Sequence, residues 1–472
     1  MKYILTFYLL VFGFFNYASS QTLTLEQCIE MAIEKNISIK QSILDIENAS
    51  VDKSNAIGNF LPNFNAQSSH SWNVGLNQNI TTGLLENLTT QFSSIGGSIG
   101  VDVYNGLQNI NQLHRANLNL LAKQYQLDDM IDDTKLLVAN SYLQVMFNLE
   151  FLKVQKSQLI VTQAQLKRTV SLIEAGVLSS GDVFELEANI ASQEQAIIQA
   201  ENNFILSKIS LAQLLQISDY DNFNVVIEDL DVPFSQILEQ NPKSIFKKAL
   251  TLRNDIKLGV VNIDIAEKDI EIAKGALQPS LRAFYSYSNR IGYSDRLVGT
   301  GDYYLAPIGT VLSSGETVVR EVENRMTVSP FSISDQLRVN EGQNYGLSLN
   351  IPIFNGFASK NSLRRAKINL ERTKNTFERQ KLDLESQINQ SYNDARGAFK
   401  FYVAVQKTVI SRKYAFDDAE NRYIAGVMNS FDYIQAKQRY EQSLSDQIRA
   451  KFDYIFKLKV VEFYFGIPLS IE

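Results

Sequence analysis

Residues able to act as nucleophiles, metal ligands or proton carriers are scarce in this sequence. Its 472 residues contain one cysteine, Cys28, and two histidines, His70 and His114, at well-separated positions. A zinc-type site needs several such ligands in one place, and a phosphate loop needs closely spaced glycines before a helix. Neither pattern is found in the sequence. We therefore predict that the protein is not an enzyme and carries no metal or cofactor.

Two carboxylates have a distinctive spacing. Asp182 and Asp432 each lie six residues after a glycine, Gly176 and Gly426, which is part of a matching Ala-Gly-Val segment. Aspartate is favoured at helix N-termini because its carboxylate accepts hydrogen bonds from free backbone N–H groups. One interpretation is therefore that both residues simply cap the helix after a turn.

These turns are part of a unit that the chain contains twice. Gly106 and Gly356 close two matching Asn-Gly segments, and each lies 70 residues before its turn glycine. The same offset of 250 residues relates Ile217 to Ile467. A register that persists over more than 100 residues indicates an internal repeat.

The residues between the Asn-Gly and Ala-Gly-Val segments predict very long helices. About 67 helix-compatible residues would extend roughly 100 Å at 1.5 Å per residue. Apolar residues recur every seven positions, which is typical of helices that wrap around each other. Polar residues between them, including Gln163 and Gln165, are expected to contact water. The apolar seam contains Ile131, Val138, Val145, Leu152, Leu159, Leu166 and Ile173 in the first copy, and Ile388, Ala395, Tyr402, Val409, Phe416 and Tyr423 in the second.

Two stretches in each copy alternate apolar and polar residues, which predicts strands. The clearest runs from Tyr345 to Ile353, whereas Phe284 and Phe354 interrupt the polar face. About 10 residues suffice for a tilted strand to cross a bilayer, with one face toward lipid and one toward water. Four strands cannot close a barrel, and lipid does not tolerate their free edges. Several chains must therefore pool their strands.

The repeat defines the expected domain organisation. Lys2, an apolar run to Phe15 and the small residues Ala18 to Ser20 have the pattern of a signal peptide, expected at 1–20. The long loop 292–342 is expected to face the cell exterior. The expected divisions are a first repeat 21–217 with strand hairpin 63–104 and helical hairpin 107–217, a linker 218–242, and a second repeat 243–472 with strand hairpin 280–355 and helical hairpin 357–467.

In their order and spacing these segments resemble the TolC family of outer-membrane efflux proteins. The resemblance rests on Leu61-Pro62 and Gln278-Pro279 before the strands, the Asn-Gly segments after them, and the Ala-Gly-Val turns. It implies an α+β membrane protein in which four strands from each chain build a shared transmembrane β-barrel. A long antiparallel α-helical barrel continues from it, and the resemblance implies that the linker 218–242 is equatorial, in a belt partway along this barrel. The implied assembly is a homotrimer in the outer membrane of a Gram-negative bacterium, extending into the periplasm.

The resemblance also implies partners and a constriction. The partners are a periplasmic adaptor (membrane fusion) protein, an inner-membrane pump and outer-membrane lipid. The net charge of −6 argues against nucleic acid. Met428 stands where relatives carry a latch arginine, so closure is expected to depend on apolar contact. The implied constriction residues, which threefold symmetry would turn into cation-favouring rings, are Asp182, Glu185, Asp432 and Tyr423, and the implied adaptor-contact turns contain Gly176, Val177, Leu178, Gly426, Val427 and Met428.

Three functions remain compatible with the sequence. The first is the exit duct of a tripartite efflux pump, which passes small molecules from the periplasm to the exterior. The second is a type I protein secretion duct, which would use the same architecture. The third is a coiled-coil surface or adhesion protein that forms no channel.

Overall fold

The computed structural model describes residues 21–78, 83–176, 179–220, 223–226 and 236–467, so the expected signal peptide lies outside the described residues. None of the described helices combines the length and the apolar character that a membrane crossing requires. The chain divides into two compact units. The first contains the residues up to Ser50, Leu118–Ala266 and the residues from Asn369 onward, and the second contains Val51–Asn117 and Glu267–Ile368.

Two hairpins contain the longest helices of the described chain. They are formed by α3 (Gln108–Glu174) with α4 (Gly181–Leu214), and by α8 (Ala358–Ile424) with α9 (Ser430–Phe465). The first helix of each hairpin has 67 residues. Proline, which would remove a backbone donor and break the helix, is absent from both. The equal lengths reflect the equal spacing of the repeat.

Each repeat opens with two shorter helices separated by one residue, Asn36 in the first repeat and Arg253 in the second. Asn36 ends α1, and its side-chain oxygen accepts a 2.7 Å hydrogen bond from the backbone N–H of Ser38 in α2. Asn241 caps α5 by accepting a 2.9 Å bond from Lys243 N. Such caps satisfy backbone donors that a helix start leaves free. The four helices are α1 (Leu25–Lys35), α2 (Ile37–Gly58), α5 (Pro242–Leu252) and α6 (Asn254–Gly275).

The first unit has an apolar core beside a small parallel sheet. Strand β1 (Gln21–Leu23) pairs with β4 (Phe223–Val225), and a 3₁₀ turn follows at Gln236–Glu239. The long helices contribute aliphatic side chains that are almost completely buried here. We call this cluster the belt core, defined by Val138, Val145, Leu211, Leu215 and Phe223.

The second unit contains an antiparallel sheet of four strands in the order β2–β3–β5–β8. One row of facing residues across the strands is Phe64, Ile99, Tyr285 and Tyr345, and the next row is Asn65, Ser98, Ser286 and Asn344. One face is therefore apolar and the other polar, as the alternation predicts. The strands are β2 (Asn63–Gln78), β3 (Leu85–Asn105), β5 (Ser280–Gly292) and β8 (Gly342–Asn350).

Phe284 interrupts the polar face for a packing reason. It lies on β5 directly opposite Gly346 on β8, and its ring lies over that glycine. A Cβ on Gly346 would come within 3.3 Å of the Phe284 ring. An aromatic ring beside a strand glycine fills the space that the missing side chain leaves.

The segment between β5 and β8 contains elements of its own. A separate two-stranded hairpin, β6 (Arg296–Thr310) and β7 (Thr317–Val328), is followed by a short helix, α7 (Ile333–Val339). The buried side chain of Gln336 accepts a 2.8 Å bond from Gly292 N and donates a 2.9 Å bond to Gly292 O. These two bonds attach α7 to the end of β5, so the expected long loop is partly ordered against the sheet.

Candidate functional site at the helical turns

The two long helical hairpins turn at the repeated glycines. Gly176 and Gly426 have φ values of +75° and +71°, a left-handed conformation that glycine adopts without steric cost. At the second turn, Gly426 N donates to Tyr423 O and Val427 N donates to Arg422 O, both at 3.0 Å. This is the bonding that commonly ends a helix at a glycine. Val177 and Leu178, predicted to contact an adaptor, lie outside the described residues.

Asp432 is held by a neighbouring asparagine. The cap of α9 is Asn429, whose side-chain oxygen accepts a 2.8 Å hydrogen bond from Asp432 N. Asn429 Nδ2 in turn donates to the Asp432 carboxylate at 2.9 Å. The interpretation of Asp432 as the capping residue is therefore wrong. Its exposed carboxylate still lies in the first helical turn, where the helix dipole favours negative charge.

Asp182 connects the two hairpins. It lies in the first turn of α4, whose cap residue is Ser180, so the capping interpretation is wrong here as well. The Asp182 carboxylate accepts a 2.5 Å hydrogen bond from the hydroxyl of Ser430, the first residue of α9. A hydrogen bond to a charged acceptor is stronger than one between neutral groups. A carboxylate–hydroxyl hydrogen bond thus joins the turn ends, or tips, of the two helical hairpins within one chain.

Tyr423 lies inside the chain rather than on its surface. Its ring stacks on Tyr433 with centroids 4.7 Å apart and an 11° interplanar angle, beside Leu186 and Ile434. Only 1% of Tyr423 is exposed. Burial raises the pKa of its hydroxyl, and the nearby Thr169 hydroxyl offsets part of that effect. Met428 packs against the same cluster.

The tips also expose large apolar side chains. Phe184 is 72% exposed, Phe431 65% and Val427 68%, and Glu185, which follows Phe184 in the chain, is also exposed. The two phenylalanines are not among the residues predicted for the site, since neither lies on the heptad seam. The sequence feature that could have indicated them is an aromatic residue within two positions of each aspartate, Asp182 and Asp432. Exposed apolar groups of this kind are typical of surfaces that bind another protein.

The helices next to the turns pack through polar residues. Thr162 and Thr169 of α3 are fully buried, and Gln165 is 6% exposed, which contradicts the expectation that Gln165 contacts water. On α9 the facing residues are Lys437, 1% exposed, and Glu441. We call this group the tip seam, defined by Thr162, Gln165, Thr169, Lys437 and Glu441.

Lys437 is the centre of the tip seam. Its Nζ donates to Thr162 Oγ1 at 2.6 Å and lies 3.7 Å from the Glu441 carboxylate. Gln193 Nε2 of α4 also donates to Glu441, at 3.2 Å. Burial lowers the pKa of Lys437 and raises the pKa of Glu441, and each charge partly offsets the effect on the other. A polar groove of about 670 Å³ lies beside this pair and includes Arg412.

A second charged cluster lies at the end of α5. Arg253 makes two hydrogen bonds to the Asp255 carboxylate, at 2.9 and 3.2 Å, and its Nη2 lies 3.7 Å from Asp129. Burial, and then the nearby carboxylates of Asp255 and Asp133, raise the pKa of Asp129 to about 6. The carboxylates of Asp129 and Asp255 therefore share the single positive charge of Arg253.

Catalytic or metal chemistry has little support in the described residues. Among them, no three His, Cys, Asp or Glu side chains converge in a way that could hold a metal ion. Cys28 is fully buried, and burial raises the pKa of its thiol to about 12. The thiolate, which is the reactive form, is therefore strongly disfavoured.

Sequence comparison identifies relatives. The pattern of the family described as Outer membrane efflux protein matches residues 28–215 and 323–456. The chain is also 23% identical over 127 residues to the alkaline protease secretion protein AprF of Pseudomonas aeruginosa. That match covers 27% of this chain and only about a quarter, 26%, of AprF.

Solved structures share the fold over nearly the whole chain. A structure of CusC is similar with a TM-score of 0.72, covering 94% of this chain and 92% of that chain at 16% identity. The CmeC outer membrane channel of Campylobacter jejuni is similar with a TM-score of 0.71 and 15% identity. The match covers 94% of this chain and 85% of CmeC. The outer membrane protein VceC of Vibrio cholerae is similar with a TM-score of 0.72 and 13% identity. The match covers 94% of this chain and 97% of VceC. These likenesses confirm the predicted fold class.

Proposed function

The chain belongs to the outer membrane efflux protein family, and on that premise we propose that it is the channel subunit of an efflux duct. As a family member it is an outer-membrane protein of a Gram-negative bacterium that extends into the periplasm. The proposed duct receives small molecules on the periplasmic side and releases them outside the cell. It moves solutes without catalysing a reaction.

One observation carries this proposal: much of the apolar face of the four-stranded sheet is exposed, although α7 covers the end of that face near Asn289. Phe64 is 70% exposed, Tyr345 76% and Leu347 70%. Water would penalise such a surface, whereas lipid would not. The opposite face presents hydroxyl and amide groups, which suit a water-filled lumen.

The sheet also needs partners at its edges. Strands β2 and β8 each pair on one side only. In lipid, every backbone N–H and C=O must find a partner within the protein, and a closed barrel provides this. We propose a homotrimer, the assembly of the family, in which three chains contribute twelve strands to one barrel.

At the helical turns we propose a constriction and a docking surface. Asp182, Glu185 and Asp432, repeated by the threefold axis, would form carboxylate rings that favour cations. Tyr423 would act from within the chain by holding the two hairpins together. The exposed Val427, with Phe184 and Phe431, is proposed to receive a periplasmic adaptor, which in turn connects to an inner-membrane pump.

A second function has specific support. AprF is described as a secretion protein for an alkaline protease, and its similarity to part of this chain favours a type I protein secretion duct. The same channel architecture serves both. Copurification separates them: an adaptor recovered with an ATP-driven exporter supports secretion, and one recovered with a drug pump supports efflux.

Conductance of the purified protein in planar bilayers tests the proposal. We expect discrete channels with cation preference, and a lower preference after Asp182→Ala combined with Asp432→Ala. An assembly that forms no channel contradicts the duct and leaves a surface or adhesion protein. Channels with unchanged preference in the double variant contradict only the carboxylate rings.

A further inference from the structure

The polar face of the four-stranded sheet carries few charges. Within the described strands, the register assigns Glu86, Asp102, Arg282 and Arg290 to this face. Between Arg282 and Arg290, the β5 residues on this same face are Phe284, Ser286 and Ser288. Two arginines thus lie near opposite ends of one strand, on the face that the proposed function assigns to the lumen.

Arg282 is electrically balanced. It lies directly opposite Asp102 on β3, and its Nε is 4.0 Å from that carboxylate. Its guanidinium also lies against Gly100, where an added Cβ would come within 2.6 Å of it. The pair adds no net charge to the face.

Arg290 is not balanced in this way. In the part of the chain that the structure describes it forms no ion pair, and it is exposed. Its guanidinium carbon instead lies 4.3 Å from the centre of the Phe92 ring, on the same face. Directly opposite it on β3 is Ser94, whose hydroxyl is 2.7 Å from that of Ser69 on β2. Its guanidinium therefore packs on an aromatic ring and has no carboxylate partner among the described residues.

The backbone around Arg290 is held by α7 and the residue after it. Asn340 Nδ2 donates a 2.7 Å hydrogen bond to Arg290 O. The preceding residue, Asn289, is buried and donates to Leu337 O at 2.6 Å. Gln336 binds Gly292 on the other side. These bonds fix the backbone of β5 at Arg290, and the contact with the Phe92 ring places its guanidinium over that ring.

We propose that Arg290 forms an anion-selective ring in the barrel lumen, a binding site for permeating oxyanions and halides. The proposal rests on the proposed function, because three chains around one axis turn a single arginine into three. Guanidinium remains protonated at any physiological pH and binds carboxylate or phosphate through paired N–H groups. The duct would then prefer cations at its helical turns and anions at this ring.

The expected effect is modest and depends on salt. With three charges about 10 Å from the axis and a screening length of about 10 Å at 0.1 M salt, chloride is enriched and potassium depleted by about twofold each, so the chloride-to-potassium preference is about fourfold. At 1 M salt the screening length falls to about 3 Å, and the preference should vanish. This salt dependence distinguishes a charge effect from a change in pore width.

Reversal potentials in KCl gradients, measured on the full-length protein in planar bilayers, test the ring. Arg290→Gln should lower the chloride-to-potassium permeability ratio about fourfold at 0.1 M and leave it unchanged at 1 M. Ser94→Asp, which supplies a carboxylate opposite the intact arginine, should cause the same loss. The matched control, Arg282→Gln together with Asp102→Asn, removes one charge of each sign and should cause none.

Each outcome bears on one proposal. An unchanged ratio in Ser94→Asp or Arg290→Gln channels overturns the ring while the duct stands. An equal loss in the control pair also overturns it, because Arg290 would then have no special role. If the wild-type protein forms no channel, the proposed function itself is contradicted.

Discussion

The belt core and the tip seam share helix α3 but have opposite chemistry. In the belt core α3 contributes Val138 and Val145, both fully buried. Further along the same helix, the buried positions are occupied by Thr162 and Thr169. Apolar burial contributes roughly 25 cal/mol per Å² wherever the surfaces meet, whereas buried polar groups contribute only when each finds its partner.

This difference has a mechanical consequence. Separating the belt core exposes hydrocarbon, which water cannot compensate. Separating the tip seam exposes ammonium, carboxylate and amide groups, which water solvates well. We therefore expect the hairpins to separate more readily at the tip seam, next to the turns where the function requires a passage.

The largest predicted effect comes from breaking the central pair of the tip seam. Lys437→Met leaves the Glu441 carboxylate buried without its cation, which should cost about 3–5 kcal/mol. Hydrogen exchange of amides in α9 should then accelerate around the substitution. Adding Glu441→Leu should restore protection, because an apolar pair of similar volume is neutral or stabilising by about 1–4 kcal/mol. If the single and double variants lose the same amount of hydrogen-exchange protection, the proposed pairing of Lys437 with Glu441 is contradicted.

A cavity in the belt core should have a slightly smaller effect. Leu211→Ala removes a fully buried side chain and should destabilise the chain by about 2–5 kcal/mol, seen as a lower thermal unfolding midpoint. The matched control on the same helix is Leu206→Ala, at a residue that is 53% exposed, with an expected change within about 0.5 kcal/mol. Similar midpoints for both variants would show that the belt core is not held by burial.

The smallest effect concerns the charged cluster of Asp129. Because its pKa is raised to about 6, the folded state favours the protonated acid. Its stabilising contribution is complete below pH about 4 and is lost as pH rises through about 6. Asp129→Asn should remove that decline and raise stability at pH 7 by about 1 kcal/mol, after allowance for its partial exposure.

The measurement is the thermal midpoint between pH 4 and 7. Asp394→Asn, an exposed acid on α8, is the control and should leave the wild-type pH dependence intact. An unchanged decline in Asp129→Asn would assign the pH dependence to other groups. The expected result would show that the first unit has a pH-sensitive cluster outside the tip seam.

Much of the fold could be predicted because it depends on local periodicity. The helix spacing of the repeat anticipated two helices of 67 residues, and alternation anticipated a sheet with one polar and one apolar face. The hairpin β6–β7 was less visible, because two paired strands within an insertion have no counterpart in the other copy. The heptad was misleading near the turns, where Gln165 is buried although its type suggests exposure.

The candidate site was only partly predictable. The positions of Asp182 and Asp432 follow from the repeat, but their contacts do not. That Asp182 accepts a bond from Ser430, 248 residues away, depends on how two hairpins pack. The same holds for Tyr423, whose stacking on Tyr433 requires the second turn to bring α8 and α9 together.

By itself the sequence determined the repeat, the element lengths, the face of each strand and the glycine turns, since these depend on residues near one another along the chain. Only the tertiary structure decided which polar groups are buried, which acids are paired, and which arginine of the sheet lacks a carboxylate. Those properties depend on distances between residues remote in sequence. Charge and burial act through such distances, so they appear only once the helices and strands have packed.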